Sequence, residues 1–392
     1  MAITFVYAHE EPPQTYSRSM FLAGPSPRKA GDPEWRSEAC RILQEIGYDG
    51  GVVFLPVPRD GNWFPAERYE QQIEWETKYL NMADVVVFWI PRNMEHSPAL
   101  TTNIEWGAWF DSGKALLGYP DSAPHMKYLE WHAKQAGVPS HCELGHILNH
   151  AVLQLGQGAV RTGGERAVPL HLWQRADFQQ WYKAQVLAGN RLDGAKVVWT
   201  FRVGPHKERV FFWALHVDVF IGAEQRHKVN EIVIFRPDIS TIVAFHQPTK
   251  ALDDTRVVRI RKFRSPAAPE GAMIRDVPGG SSWKPQGKQE EEAAKEFQEE
   301  TGMAIEASRL VPLGARQIAG TAMAHKAHAY ACRLTDKEIK VLQAVARCGA
   351  PHGQEADSER TYVEVWRLGD ILEDRGVDWS NLGMIFAALR AA

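Results

Sequence analysis

Four short, unbroken apolar runs in the first 120 residues constrain this chain most: "SMFLAGP" (19–25), "GVVFLPV" (51–57), "ADVVVFWIP" (83–91) and "KALLGYP" (114–120). Each is apolar at successive rather than alternate positions, so both faces of the strand it forms must be buried. A parallel sheet covered by helices on both sides provides that burial. The segment "WRSEACRILQEIG" (35–47) has helical spacing between the first two runs, and the alternation of strand and helix continues beyond it. The expectation is an α/β domain. In such sheets ligands bind at the carboxyl ends of the strands, which directs attention to Gly24, Pro25 and Ser26, to residues 59–64, and to residues 92–103.

With 392 residues the chain exceeds the size at which one core keeps growing, so two domains are expected. The glycine-rich stretch "LGQGAVRTGGERAVP" (155–169) is the clearest break in composition. It lacks the strand-before, helix-after setting of a phosphate loop and reads as a linker. The expected boundaries are therefore a first domain over 1–154, a connecting segment over 155–205 and a second domain over 206–392. A net charge of −3 offers no general attraction to a nucleic acid polymer or to a membrane. No apolar stretch reaches the length of a membrane span, and the start "MAITFVYAHEEPP" has acids where a secretion signal needs basic and then apolar residues. A cytoplasmic location is the expectation. Cys40, Cys142, Cys332 and Cys348 are widely separated and suggest neither a zinc site nor a disulfide framework.

The segments "FLAGP", "IEWETKYLNMADVVVFWIPR" and "LTTNIEWGAWFDSGKALLGYP" together resemble the nucleoside 2-deoxyribosyltransferase family and its nucleotide N-glycosidase relatives, over roughly residues 19–130. The resemblance implies a flavodoxin-like sheet and cleavage of the bond between a base and a (deoxy)ribose. It places Glu105 on the family's nucleophile and Asp84 on an acid that positions or protonates the nucleoside. A carboxylate can capture the oxocarbenium-like carbon at C1′, and a second acid can protonate the departing base. Glu105 is expected at the start of a helix, where the dipole would keep it ionised. Where the family's transferases carry a further Asp this chain has Ala99; Asn103 or Glu95 are the substitutes available. Trp63 and Phe64 could stack on a base, and Ser26 with Arg28 could meet a 5′-phosphate. A homo-oligomer formed through this domain is expected.

Farther along, "DVPGGSSWKPQGKQEEEAAKEFQEETGM" (276–303) crowds carboxylates onto a helix-forming stretch that Gly302 would end. Glu296, Glu299 and Glu300 fall at i, i+3 and i+4, on one face, where like charges repel unless a cation sits among them. Lys295, Glu296, Phe297, Glu299, Glu300, Gly302 and Met303 resemble the R-E-U-x-E-E-x-G-U half of the Nudix box, where U is aliphatic. The upstream half departs, with Gly287 at the family's first Glu; Glu290, Glu291 or Glu292 could replace it from a shifted register. The resemblance implies an α+β Nudix-fold domain, Mg2+ or Mn2+ on Glu296, Glu299 and Glu300, and catalysis by Glu299 with a base from the late loop, where Glu355, Asp357 and Glu359 are candidates. Before the box, "TRVVRIRKFRSP" (255–266) alternates as a half-buried strand, and a substrate contact is expected from its basic residues around position 258, where Arg259 adjoins Val258.

Both halves point to a nucleoside or nucleotide substrate. The function expected is a bifunctional enzyme of nucleotide salvage or clean-up, combining N-glycosidic cleavage or deoxyribosyl transfer with metal-dependent hydrolysis of a nucleoside diphosphate linked to another group. The alternative is a nucleotide sensor in which a degenerate Nudix domain binds a ligand and regulates the glycosidase.

Overall fold

A computed structural model describes residues 2–26, 34–60, 68–268, 270–281, 287–353 and 359–391. The chain forms two compact units, 1–234 and 235–392. Among the described residues no helix is long and apolar enough to cross a membrane.

The first unit runs β1 (Thr4–Tyr7), β2 (Ser19–Ala23), α1 (Trp35–Glu45), β3 (Val52–Leu55), α2 (Tyr69–Met82), β4 (Val85–Trp89), α3 (Leu100–Trp109), β5 (Ala115–Gly118), α4 (Lys127–Ala136), β6 (Ser140–His141) and α5 (Leu144–Leu155). Among the described residues these strands make a six-stranded, all-parallel sheet in the order β1-β3-β2-β4-β5-β6. Counted from β2, that is the 2-1-3-4-5 order of a flavodoxin-like sheet, with β1 added at one edge. Each apolar run divides between two cores. Phe21, Phe54, Val86, Phe88 and Leu117 face α2, α3 and α4, while Met20, Leu22, Val53, Val87 and Leu116 face α1 and α5. The unit continues through α6 (Leu170–Trp173) and α7 (Ala176–Leu187) into β7 (Arg191–Val203), β8 (Arg209–Ile221) and β9 (Arg226–Phe235), a separate three-stranded sheet.

The second unit runs β10 (Ile239–His246), β11 (Arg256–Phe263), β12 (Met273–Asp276), β13 (Gly279–Ser281), α8 (Gln289–Thr301), β14 (Val311–Gln317), β15 (Lys326–Arg333), α9 (Asp336–Cys348), β16 (Thr361–Arg367), α10 (Leu368–Glu373) and α11 (Trp379–Ala391). Its mixed sheet has the order β12-β11-β10-β15-β14, with β13 on β10 and β16 on β11. Residues two apart share a face. Ile242, Ala244 and Val258 pack with Ala293 and Phe297 of α8 and Ile339 and Leu342 of α9, whereas Val243, Phe245 and Val257 pack with Ile371 of α10 and Ile385 and Ala388 of α11.

The stretch 155–169 does not divide the two units; the division falls between Ile234 and Phe235. Arg161, buried from water, donates to Asp84 Oδ1 at 2.5 Å and to the Val168 carbonyl at 2.7 Å. Arg166 is also buried and donates to the Arg161 carbonyl at 2.9 Å. A Cβ on Gly158 would come within 2.1 Å of the Ser17 carbonyl oxygen, so this glycine allows the chain to lie against β2's entry. Gly158 and Gly164, which read as linker composition, serve close packing here. Accordingly, Arg161→Ala strands the Asp84 carboxyl without its guanidinium, and urea unfolding is expected to show a loss of roughly 3–5 kcal/mol. Limited proteolysis of the unaltered chain should spare 155–169.

Candidate functional site

The carboxyl ends of β2 and β4 form the point where the strand order reverses, and here the chain packs too tightly for side chains. A Cβ on Gly24 would lie 2.2 Å from the Trp89 carbonyl oxygen and 2.9 Å from the Trp35 ring. Arg36, in the first turn of α1 and only 1% exposed, holds this turn. Its Nε donates to the Leu22 carbonyl at 3.1 Å, its Nη2 to Gly24 at 2.7 Å and its Nη1 to Pro25 at 3.3 Å. Trp35 Nε1 donates to the same Pro25 carbonyl at 3.2 Å.

Three carboxylates interact electrostatically with that guanidinium: first Glu34, which Arg36 Nη1 meets at 3.4 Å, then Glu105 of α3 and Glu76 of α2. Burial, and then the neighbouring Glu76 charge, push the Glu105 carboxyl up to about 8, against the opposing pull of Arg36. Burial likewise raises Glu76, which accepts a hydrogen bond from Gln72 Nε2 at 2.7 Å. Burial disfavours the charged form of both acids, and the Arg36 charge opposes that shift in each. Glu105 is the sixth residue of α3, beyond the reach of the helix N-terminus, so burial outweighs the dipole expected to keep it ionised.

Glu76 is the residue that sequence reasoning missed, although a signal exists. Gln72, Trp75, Glu76, Tyr79 and Leu80 recur at helical spacing and include the four buried residues of α2. An acid set in such a stripe must face the protein rather than water.

Asp84 lies elsewhere. It precedes β4, at the amino ends of the strands, and its Oδ2 accepts from Ser19 N at 2.9 Å and Ser19 Oγ at 3.1 Å while Oδ1 takes Arg161. The five residues of β2, roughly 17 Å of strand, separate Ser19 from Gly24. Asp84 therefore organises the buried base of the sheet and is not brought together with Glu105. The "S-G-K" motif behaves similarly: Lys114, fully buried, donates to the carbonyls of Leu80, Asn81 and Ala83 and closes the end of α2.

Asn103 is held at the carboxyl end of the sheet, its Oδ1 accepting from Arg92 Nη2 at 2.5 Å while Arg92 Nη1 donates to the His125 carbonyl at 3.0 Å. Ala99, buried at the entry to α3, adopts a left-handed conformation (φ 58°), a strain a non-glycine residue keeps only where its surroundings enforce it. Glu95 stands in solvent beside His96 and does not replace the missing acid. Ser26 is half-buried next to the Pro25 turn. Arg28, Trp63 and Phe64 lie outside the described residues, as do Glu355 and Asp357.

In the second unit Glu300 is buried, and both its oxygens are engaged: Lys262 Nζ at 3.1 Å from Oε1 and the Gly279 N–H at 2.8 Å from Oε2. Lys262 Nζ also lies 3.7 Å from Glu359 Oε1, which Arg264 approaches to 3.3 Å. Glu296 lies against the backbone of Gly280, where a Cβ would meet its carboxylate at 2.3 Å. Burial raises both Glu296 and Glu300 to about 7. Glu299 pairs instead with Lys295 at 3.4 Å. Glu290, Glu291 and Glu292 occupy the first turn of α8, where negative charge complements the dipole, and Glu291 pairs with Lys288 at 3.4 Å. Among the described residues no group of three or more His, Cys, Asp or Glu is placed to hold a metal ion. The arrangement does not fit Mg2+ or Mn2+, because the Lys262 ammonium already occupies Glu300 at 3.1 Å and Glu299 is paired with Lys295. Val258 is a core residue, and the neighbouring Arg259 is buried over the Trp366 ring, 3.3 Å from Asp374 and 3.6 Å from Glu364, so it packs the sheet and offers no substrate contact.

Residues 17–123 match the family model described as nucleoside 2-deoxyribosyltransferase like, so the first unit contains a domain of that kind. No curated protein matches the chain.

The raised Glu105 carboxyl has a stability consequence. Between its unfolded value near 4.5 and about 8 the folded protein holds a proton that the unfolded chain has lost, so folding stability falls as pH rises through that window. Glu105→Gln removes the penalty. Thermal melts should show the variant more stable at pH 8 by roughly 2 kcal/mol, about half the full linkage value because the side chain is only half-buried, with the gain nearly absent at pH 4.5.

Proposed function

We propose that the first unit cleaves the N-glycosidic bond of a nucleoside or nucleotide, with Glu105 as nucleophile and Glu76 as acid. The observation that carries this reading is the pair of half-buried carboxylates, Glu105 and Glu76, whose charges both reach Arg36 at the strand-order reversal. The ionised carboxylate of Glu105 attacks C1′, the C1′–N bond breaks, and the base departs with the proton held by Glu76. Water then attacks C1′ of the glycosyl ester, Glu76 accepts its proton, and Glu105 leaves as carboxylate. A second base in place of water would make the reaction a transfer. Arg36 favours the carboxylate that must carry charge, while Gly24 lets the turn leaving β2 pack against Trp89 and Trp35. Asn103, fixed by Arg92, is available to orient the sugar hydroxyls.

For the second unit the Nudix resemblance of 295–303 and the placement of Glu296 and Glu300 beside Gly279 and Gly280 support a nucleotide-binding module. The Lys262–Glu300 pair and Gly287 favour binding over metal-dependent hydrolysis. The full chain given Mg2+ and a nucleoside diphosphate sugar is expected to show no pyrophosphohydrolysis, and Mg2+-dependent release of nucleoside monophosphate would restore the bifunctional reading.

Glu105→Ala should abolish release of free base, and a 2-fluoro sugar analogue with a good leaving group should leave a mass adduct on the Glu105 peptide. Base release unchanged in the variant would remove the nucleophile assignment. Glu76→Gln should lower kcat at least ~100-fold for an ordinary nucleoside but much less for a nitrophenyl riboside, whose leaving group needs no proton. The nucleophile role predicts that activity rises as pH approaches about 8, where the Glu105 carboxyl loses its proton and can attack.

A further inference from the structure

We propose that Lys262 is a built-in cation that replaces a divalent metal, and that the cleft it lines binds a nucleotide-like aromatic anion without any metal ion. This rests on the Nudix-like reading of the second unit and goes beyond it in naming the ligand chemistry and the absence of a metal requirement. Lys262 is 3% exposed and Glu300 5% exposed, so the ammonium is committed to the carboxylates rather than to water. Beside it opens a cleft of about 550 Å³, lined among others by Phe263, Arg264, Glu359, Arg360 and Tyr362. That volume lies in the range of small-ligand pockets. With Lys262 matched by buried Glu300, the lining still carries two exposed arginines, Arg264 and Arg360, against one carboxylate, Glu359, so the cleft favours an anion. Arg264 and Arg360 are exposed and offer forked donors that match phosphate oxygens, while Phe263, 61% exposed, offers a ring on which a base can stack. Each Glu300 oxygen already accepts one donor, Lys262 and the Gly279 N–H, so a metal binding there would have to compete with a buried ammonium 3.1 Å away.

Calorimetric titration of the full chain with ADP tests this. ADP is expected to bind equally, within twofold, in EDTA and in Mg2+, and Arg264→Ala with Arg360→Ala should weaken it at least tenfold. Lys262→Met should create Mn2+ binding visible by electron paramagnetic resonance, because the carboxylates then lack their cation, and Glu300→Gln added to it should remove that binding. Should Lys262→Met fail to fold, the two exposed arginines still decide the matter. ADP binding that requires Mg2+ would overturn the proposal while leaving the nucleotide-module reading in place. ADP binding insensitive to both arginine changes would place the nucleotide elsewhere, and no ADP binding at all would remove the proposal and the reading together.

Discussion

The chemistry proposed for the first unit depends on one buried guanidinium. Arg36 donates to the carbonyls of Leu22, Gly24 and Pro25, which holds the turn leaving β2, pairs with Glu34 at 3.4 Å, and extends its charge to Glu105 and Glu76. Burial raises both carboxyls and the Arg36 charge opposes that rise, so the same residue that shapes the turn leaving β2 also favours ionisation of the acids proposed to react.

Buried cations recur throughout the chain, each answering a different local need. Lys114 satisfies the orphan carbonyls at the end of α2, and burial pushes its ammonium down to about 7. Arg161 neutralises Asp84, and Lys262 neutralises Glu300. Where the partners are backbone carbonyls the cation closes a helix or a turn, and where they are carboxylates it determines which acids remain for chemistry or for a metal. Asp84 and Glu300 are withdrawn from reactivity in this way. Glu76 and Glu105 remain available, because Arg36 makes its direct ion pair with Glu34 and reaches them only through space.

The parallel sheet of the first unit was legible in sequence because strands buried on both faces must be continuously apolar, and "ADVVVFWIP" and its companions are. Glu105 was legible as a candidate through its motif, and the acidic face of α8 through its spacing. Side-chain identity and spacing along one element are local properties, and sequence by itself determines them.

Only tertiary structure decides which end of a strand a residue serves and which charge meets which. Asp84 and Arg92 bracket one apolar run, yet β4 carries them to opposite ends of the sheet. Glu76, eight residues before Asp84, reaches Glu105 because α2 and α3 pack on the same face. Glycines at 155–169 read as a linker until Arg161 is seen to reach Asp84, and three carboxylates on α8 read as a metal site until Lys262 arrives from β11. In each case the deciding partner is distant in sequence, and in a low-dielectric interior a single charge brought within about 3 Å outweighs what the local pattern prefers.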